Sequence, residues 1–520
     1  MNSPEIPLQR LLQATEVRLA GDFSAARGLL DALLAADPDF LPARVERAGV
    51  SDALGDCETA LSDLEHFLCR FPGSDDIAAL YGEILDRALC RLDETLRRQP
   101  ADDACRLRRA LLRWRAGQAG AALADCRRLL AVNPWHDAAL NLQGNCQIDL
   151  GRLEAAIMSY REALEVRERP DYRFNLGNVL QQTARFDEAR IAYRQVLEAS
   201  PAFAEAALEM AHCDLSTGDF AAGWPGYEAR WQTAQLAPFA WRGERPRWSA
   251  NLGPMPEATL LVWAEQGLGD AIQFLRYVAF LRPWVGRVVL RLPLALLDLA
   301  ATLAVDCVRV ADTDLLPEHD FQCSLLGLPL ALNLAEPPAV GPYLHVDAQR
   351  SARWLAALGP ADRPRIGLAW AGRQGWRANP TRDLPFAELR LLLDLPFGWV
   401  SLQQGVPAVD AAMFERSPLR RFPAFASLAD TAALIDRLDL VVTVDSVVAH
   451  LCGALGKPCW LLLRHASEWR WQRERSDSVW YPSLRLFRQA RPGDWAGVVR
   501  QVGRALLSAD SPVASAARTM

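Results

Sequence analysis

Two patterns of apolar and polar positions divide the chain near residue 240. Before it, apolar residues recur with a helical period inside a longer repeat of 34 residues. Gly21 and Pro38, Gly55 and Pro72, and Gly117 and Pro134 are each 17 apart, and Ala184 and Pro201 keep that interval with alanine in the glycine slot. Gly21 to Gly55, Gly117 to Gly151 and Ala184 to Gly218 each span 34 residues. Five residues after each turn marker stands a small side chain: Ala26, Ala60, Ala122, Ala156, Ala189 or Gly223. The pattern predicts helix pairs, with glycine turning the chain, the small residue allowing close approach and proline ending the second helix.

After residue 240 the period changes. Short apolar, β-rich runs at 259–264, 286–291, 306–310 and 319–325 alternate with helical stretches, and a second series follows at 364–372, 398–404, 438–445 and 458–463. Such alternation predicts parallel sheets covered on both faces, here two Rossmann-like lobes at 259–350 and 361–508 with a cleft between them. The Pro-, Gly- and Trp-rich stretch 236–258 reads as a linker packed on both neighbours, and 509–520 as a disordered tail.

The helical part resembles the tetratricopeptide repeat over roughly residues 8–235, as about seven units; "YRFNLGNVLQQTARFDEARIAYRQVLEASP" (172–201) matches that consensus best. The third unit is shortened, since Pro72 to Pro100 is only 28 residues, which predicts a clipped first helix. The tryptophans of the last unit, "STGDFAAGWPGYEARWQ", are expected to cap the array against the following domain. A stacked helical solenoid follows from the resemblance, with a concave face suited to an extended peptide or protein partner.

Composition narrows the class. With 520 residues, 51% hydrophobic and 23% charged, the chain reads as an ordinary multi-domain globular protein. A net charge of −6 gives no electrostatic case for nucleic acid or an anionic membrane. Lys457 is the single lysine, so arginine abundance alone marks no phosphate site. Eleven cysteines without a Cys-x-x-Cys pair fit reduced thiols and predict no metal site. The N-terminus lacks a basic stretch followed by an apolar core, and the longest apolar runs are too short to span a bilayer, so a cytoplasmic location is expected.

Candidate chemistry lies where strands give way to helices. "AEQGLGDAIQF" places Gly267 and Gly269 where backbone can approach a ligand, with Asp270 at the start of a helix as an N-cap or a general base. The pattern is not a full G-x-G-x-x-G, which argues against a nicotinamide enzyme. "TVDSVVAHLCGALGKP" sets Asp445, Ser446 and Val447 at a strand end, where a helix N-terminus offers a site for a diphosphate. His450 follows one turn later on the same side, as a ligand contact or a packing histidine. The loop "AGRQGWRANPTRD" carries Arg373, Arg377 and Arg382, whose guanidinium groups suit a leaving diphosphate. Trp469, Trp471, Trp480 and Tyr481 are expected to wall the cleft or pack an inter-lobe hinge. Asp312 and Asp314 form a D-x-D in a loop of the first lobe, a chance match to a metal-binding motif.

Residues 240–505 resemble the bacterial tetratricopeptide-linked glycosyltransferases, whose catalytic half is similar to the heptosyltransferase family and more distantly to O-linked N-acetylglucosamine transferases. The matching pieces are "GDFAAGWPGYEARW", "EQGLGDAIQFLRYV", "HDFQCSLLGLPLAL", "VTVDSVVAHLCGALGKPCWLLL" and "EWRWQRERSDSVWYPSLRLFRQARPGDW". The resemblance implies a GT-B fold, acceptor on the first lobe and nucleotide-sugar donor on the second, with Asp270 as base. It implies an inverting, metal-independent transfer with no cofactor beyond the nucleotide-sugar substrate, and a protein acceptor held by the repeats. One segment departs: where relatives carry a motif like "GNPxHxNDRxRS", this chain keeps Gly372 and Arg382 but has Arg373 and Trp376 at the usual Asn and His positions. That departure motivates one alternative, a repeat scaffold with a degenerate catalytic domain; the other is a lipopolysaccharide heptosyltransferase-like enzyme.

Overall fold

The computed structural model describes residues 5–71, 73–338, 340–372, 382–422, 425 and 427–513. Among these, thirteen α-helices follow one another from Glu5 to Tyr227 before the first strand. No helix among the described residues is long and apolar enough to cross a membrane. The chain divides into two compact units, one holding residues up to 180 and the other 181–197 with most of 201–513.

Helix ends in the repeats follow from local chemistry. Asp22, Asp56, Asp102 and Asp219 each accept a hydrogen bond from the backbone N–H three residues on, satisfying a first-turn donor. Gly21, Gly55, Gly117, Gly151 and Gly218 turn the chain at φ between +71° and +88°. Ala184 occupies the same left-handed region at φ +59°, where its Cβ costs about 1–2 kcal/mol. Ala184→Gly is therefore expected to raise stability by about 1 kcal/mol, read as a higher denaturant midpoint. Ala26, Ala60, Ala122, Ala156 and Ala189 are all 0% exposed, and a Cβ on Gly223 would lie 2.5 Å from Leu215 Cδ2, so the small residues stand where nothing larger fits.

The third unit differs from its expectation. In place of a pair with a clipped first helix stands one helix of 24 residues, Asp75–Arg98. Its buried Tyr81, Ile84, Leu85, Ala88, Leu89 and Leu96 form one continuous stripe, so no break between two helices is favoured. Gly82, its only glycine, stays helical.

In the second unit, β1 (Met255–Trp263), β2 (Val285–Leu292), β3 (Val308–Ala311) and β4 (Phe321–Ser324) form a parallel sheet in the order β3-β2-β1-β4. β5 (Arg365–Ala369), β6 (Gly398–Ser401), β7 (Leu440–Val444), β8 (Cys459–Leu463) and β9 (Leu484–Arg488) form a second one, ordered β6-β5-β7-β8-β9. β7 and β8 are buried along their whole length, as their unbroken apolar runs require. One face of the first sheet packs into the large core around Phe274, Tyr277 and Leu281; the other is covered by Trp231 and Trp241, whose rings lie 5.3 and 5.9 Å from that of Trp263.

Three boundaries move. The stretch 236–258 is packed against the first sheet, with Trp248 fully buried and its backbone N–H donating to Gln322 O at 2.9 Å, but β1 begins inside it at Met255 and not at 259. The helix Ala348–Leu358 straddles the expected end of the first lobe at 350, yet Ser351 Oγ donates to Asp436 Oδ2 at 2.7 Å and Arg350 Nη1 to Ser427 Oγ at 3.1 Å, fastening it to the second sheet's helix Leu428–Asp436. Residues 509–513 are not a disordered tail, because Ser511 and Val513 are buried and Val513 joins the core around Trp495 and Val499. Residues 514–520 lie outside the described residues.

Candidate functional site

In each sheet a first strand has neighbours on both sides, β1 between β2 and β4, and β5 between β6 and β7. Connections leaving such a pair diverge to opposite faces and open a crevice beyond the strands' carboxyl ends. The segments leaving β1, β5 and β7 meet there around one cavity of about 710 Å³. Gly267, Gly269, Asp270, Arg382, Asp445, Ser446, Val447 and His450 all line it. Arg373 and Arg377 lie outside the described residues.

Asp270 is the third residue of the helix Leu268–Phe274, not its N-cap. Its Oδ2 accepts from the Gly267 N–H at 2.9 Å, and its Oδ1 accepts from Arg470 Nη2 at 2.6 Å. A quarter of its side-chain surface (24%) remains open. Gly269 is required by packing, because a Cβ there would lie 2.8 Å from His450 Cδ2. This close approach brings the helix Leu268–Phe274 against Val447–Leu455, and so the first strand's exit loop against the second sheet's.

Ser446 is the N-cap of the helix Val447–Leu455, with extended backbone. Its Oγ bonds Thr443 Oγ1 at 3.2 Å instead of capping a helix N–H, leaving first-turn donors for a ligand on the cavity side, where Val447 and Val448 line the wall. The helix's aligned peptides place roughly half a positive charge at that end. A Cβ on Gly372 would lie 3.0 Å from Arg382 Nη2, so glycine makes room for that guanidinium, and Arg382 Nε has no hydrogen-bond partner among the described residues.

His450 is buried, with Nδ1 3.0 Å from the Tyr481 hydroxyl. Burial, with Arg470 and Arg276 nearby, holds its pKa well below the ordinary value, so the ring is neutral. It serves packing, and with Tyr481 as donor to Nδ1 the tautomer would present Nε2–H to the cavity. Burial pushes the Asp445 carboxyl up, against the pull of Arg382 and Arg470.

Sequence reasoning missed Glu468, Arg470, Gln403 and Thr431, which also line the cavity. Arg470 reaches Asp270 across 200 residues of sequence, a separation that no local pattern encodes. Trp469, Trp471, Trp480 and Tyr481 do not line the cavity; they are core. Trp224, from the helix Phe220–Tyr227, packs against Trp469 and Trp480 at 5.7 and 6.4 Å, which gives the last repeat's tryptophan its capping role.

Behind the cavity a buried cation organises the first sheet's edge. Arg230, 0% exposed, donates to Glu228 (2.7 Å), Glu265 (3.2 Å), Ser324 Oγ (3.1 Å) and Tyr227 O (3.0 Å). Burial pushes Glu265 up to about 7, although Arg230 pulls the other way. The folded chain thus binds this proton more tightly than the unfolded one, whose glutamate titrates near 4.5. The Glu265 contribution to stability is complete below about pH 4.5, falls as pH rises towards 7, and is constant above. Glu265→Gln is expected to flatten that part of the profile, measured as denaturation midpoints at acid and neutral pH.

A tetratricopeptide-repeat family model matches residues 138–170 and 170–203. Protein FlbA of Caulobacter vibrioides is 26% identical over 529 residues, covering 94% of this chain and 82% of FlbA. A tetratricopeptide repeat protein from Parabacteroides merdae is 18% identical with a TM-score of 0.28, covering 43% of this chain and 77% of its own. MamA from Desulfovibrio magneticus is 16% identical with a TM-score of 0.23, covering 37% and 93%. The chain thus carries tetratricopeptide repeats in an all-helical N-terminal region, followed by a region of parallel sheets, and the repeats point to protein partners.

Proposed function

We propose that the chain is an inverting, metal-independent glycosyltransferase of GT-B type, moving a sugar from a nucleotide-sugar to a hydroxyl on a protein held by the repeats. One observation carries the reading. A single crevice at the switch points of two parallel sheets holds a carboxylate, Asp270, on one wall and an uncapped helix N-terminus with Arg382 on another.

The acceptor oxygen attacks the anomeric carbon from the face opposite the diphosphate, and the bond from that carbon to the diphosphate oxygen breaks. The bonding pair leaves with the diphosphate, and the acceptor's proton goes to the Asp270 carboxylate, whose oxygens keep lone pairs beyond those taken by Gly267 and Arg470. The N–H groups of Val447 and Val448 and the Arg382 guanidinium meet the charge that develops on the leaving group. These donors stand in place before reaction, so they need no reorganisation as charge appears.

A thermal-shift panel of nucleoside diphosphates and nucleotide-sugars, followed by labelled-donor transfer assays, tests the reading. A ligand at a hundred times its Kd stabilises the native state by about 2.7 kcal/mol, a shift easily read. Absence of a shift with every nucleotide would sink the donor site. Binding without transfer or donor hydrolysis would leave a protein scaffold with a non-catalytic nucleotide domain.

A further inference from the structure

Arg470 is the most heavily engaged side chain of the cavity, and no step described above uses it. Its side chain is 7% exposed. Nη2 donates to Asp270 Oδ1 at 2.6 Å, Nε to Gln273 Oε1 at 2.6 Å, and Nη1 to Glu468 Oε1. Its backbone N–H donates to the other Glu468 oxygen at 3.0 Å, its carbonyl accepts from Trp480 Nε1 at 2.9 Å, and its guanidinium lies 4.2 Å from the centre of the Trp469 ring. One cation is thus fixed between two carboxylates, Asp270 from the first sheet's exit helix and Glu468 from the loop after β8.

We propose that Arg470 and Glu468 are positioning residues for the transfer: Arg470 holds the Asp270 carboxylate towards the cavity, and Glu468 keeps that guanidinium neutralised at the moment Asp270 takes the acceptor's proton. This inference rests on the glycosyltransferase reading. With Asp270 as its only counter-ion, Arg470 would become a buried, unpaired cation as soon as that proton arrived, an expensive state for a side chain only 7% exposed. The second carboxylate removes this penalty, because Arg470 keeps one full counter-charge before and after the transfer. Gln273, fully buried, fixes the fork's third edge without changing the charge count.

Glu468 also gives the device a pH signature. Burial pushes its carboxyl up to about 6, with Asp445 at the end of β7 adding to the rise and Arg470, together with His212 on the helix Ala204–Thr217, opposing it. Arg464, just after β8, faces it too. Below about pH 6 Glu468 is neutral and Arg470 loses its reserve counter-charge, so turnover falls on the acid side.

The test compares wild type, Glu468→Gln, Arg470→Lys and Arg470→Met for kcat, donor KM, affinity for the nucleoside diphosphate of the donor, melting temperature and the pH profile of turnover. Glu468→Gln is expected to lower kcat about 10²-fold, with donor KM and diphosphate affinity changed by no more than about threefold. It should also abolish the acid limb near pH 6. Arg470→Lys, which keeps the charge but not the fork, should recover part of the activity lost in Arg470→Met. Unchanged kcat in Glu468→Gln overturns the inference and leaves the glycosyltransferase reading standing. So does a loss that tracks melting temperature and nucleotide affinity with an unmoved pH profile, since it shows a merely structural role. A wild-type protein that turns over no donor removes the glycosyltransferase reading and this inference together.

Discussion

Asp270→Asn is expected to lower sugar transfer by ~10²–10⁴-fold, the usual worth of general-base assistance. The substitution is nearly isosteric but leaves no group able to take the acceptor's proton. It also replaces one carboxylate oxygen by an NH2 group, which must face either the Gly267 N–H or the Arg470 guanidinium, both donors. Nucleotide affinity should change little, because the helix N-terminus at Ser446 and Val447 lies on another wall. Steady-state kinetics with a labelled donor, read beside melting temperature, checks this. Activity within threefold of wild type in a folded Asp270→Asn protein would remove Asp270 from the chemistry.

Arg230→Ala carries the largest expected stability effect, a loss of about 3–5 kcal/mol, because it strips the counter-ion from the buried Glu265. The guanidinium also lies 4.5 Å from the ring centres of Tyr227 and Trp231, contacts that alanine cannot replace. The loss should be smaller at pH 5 than at pH 8, since at pH 5 Glu265 already carries a proton and leaves no buried charge behind when Arg230 is removed. Denaturant midpoints at the two pH values read both the size and the sign. A cost below 1 kcal/mol at pH 8 would mean that water reaches Glu265 in the variant.

What the sequence made legible followed from local periodicity. Eight of the strands coincide with apolar runs in the sequence, and the turn glycines and small residues keep their spacing because helix pairs admit few alternatives. β9 escaped because two arginines interrupt "LRLFR" within an arginine-rich stretch: Leu484, Leu486 and Phe487 are buried while Arg485 is exposed, at the sheet edge. The single helix Asp75–Arg98 escaped because a clipped repeat and an unbroken helix leave the same interval between prolines. Asp270, Ser446 and Val447, which line the cavity, could be singled out in the sequence because strand-to-helix exits are where such sheets place ligands. Arg470 and Glu468, which line it too, could not, because Arg470 meets Asp270 only when segments 200 residues apart come together.

The tryptophan seam between the helix Phe220–Tyr227 and the 469–480 segment has a practical consequence for dissecting the protein. Sequence patterning invites a cut at residue 235, but such a cut would tear Phe220, Trp224 and Tyr227 out of a shared interior and bare the indoles of Trp469 and Trp480 to water. A sheet-bearing fragment that keeps this interior whole must include Ala211, Leu215, Phe220, Trp224 and Tyr227, which belong to the same core. Lost turnover in anything shorter would report a wounded core, and would say nothing about whether an acceptor is gripped upstream.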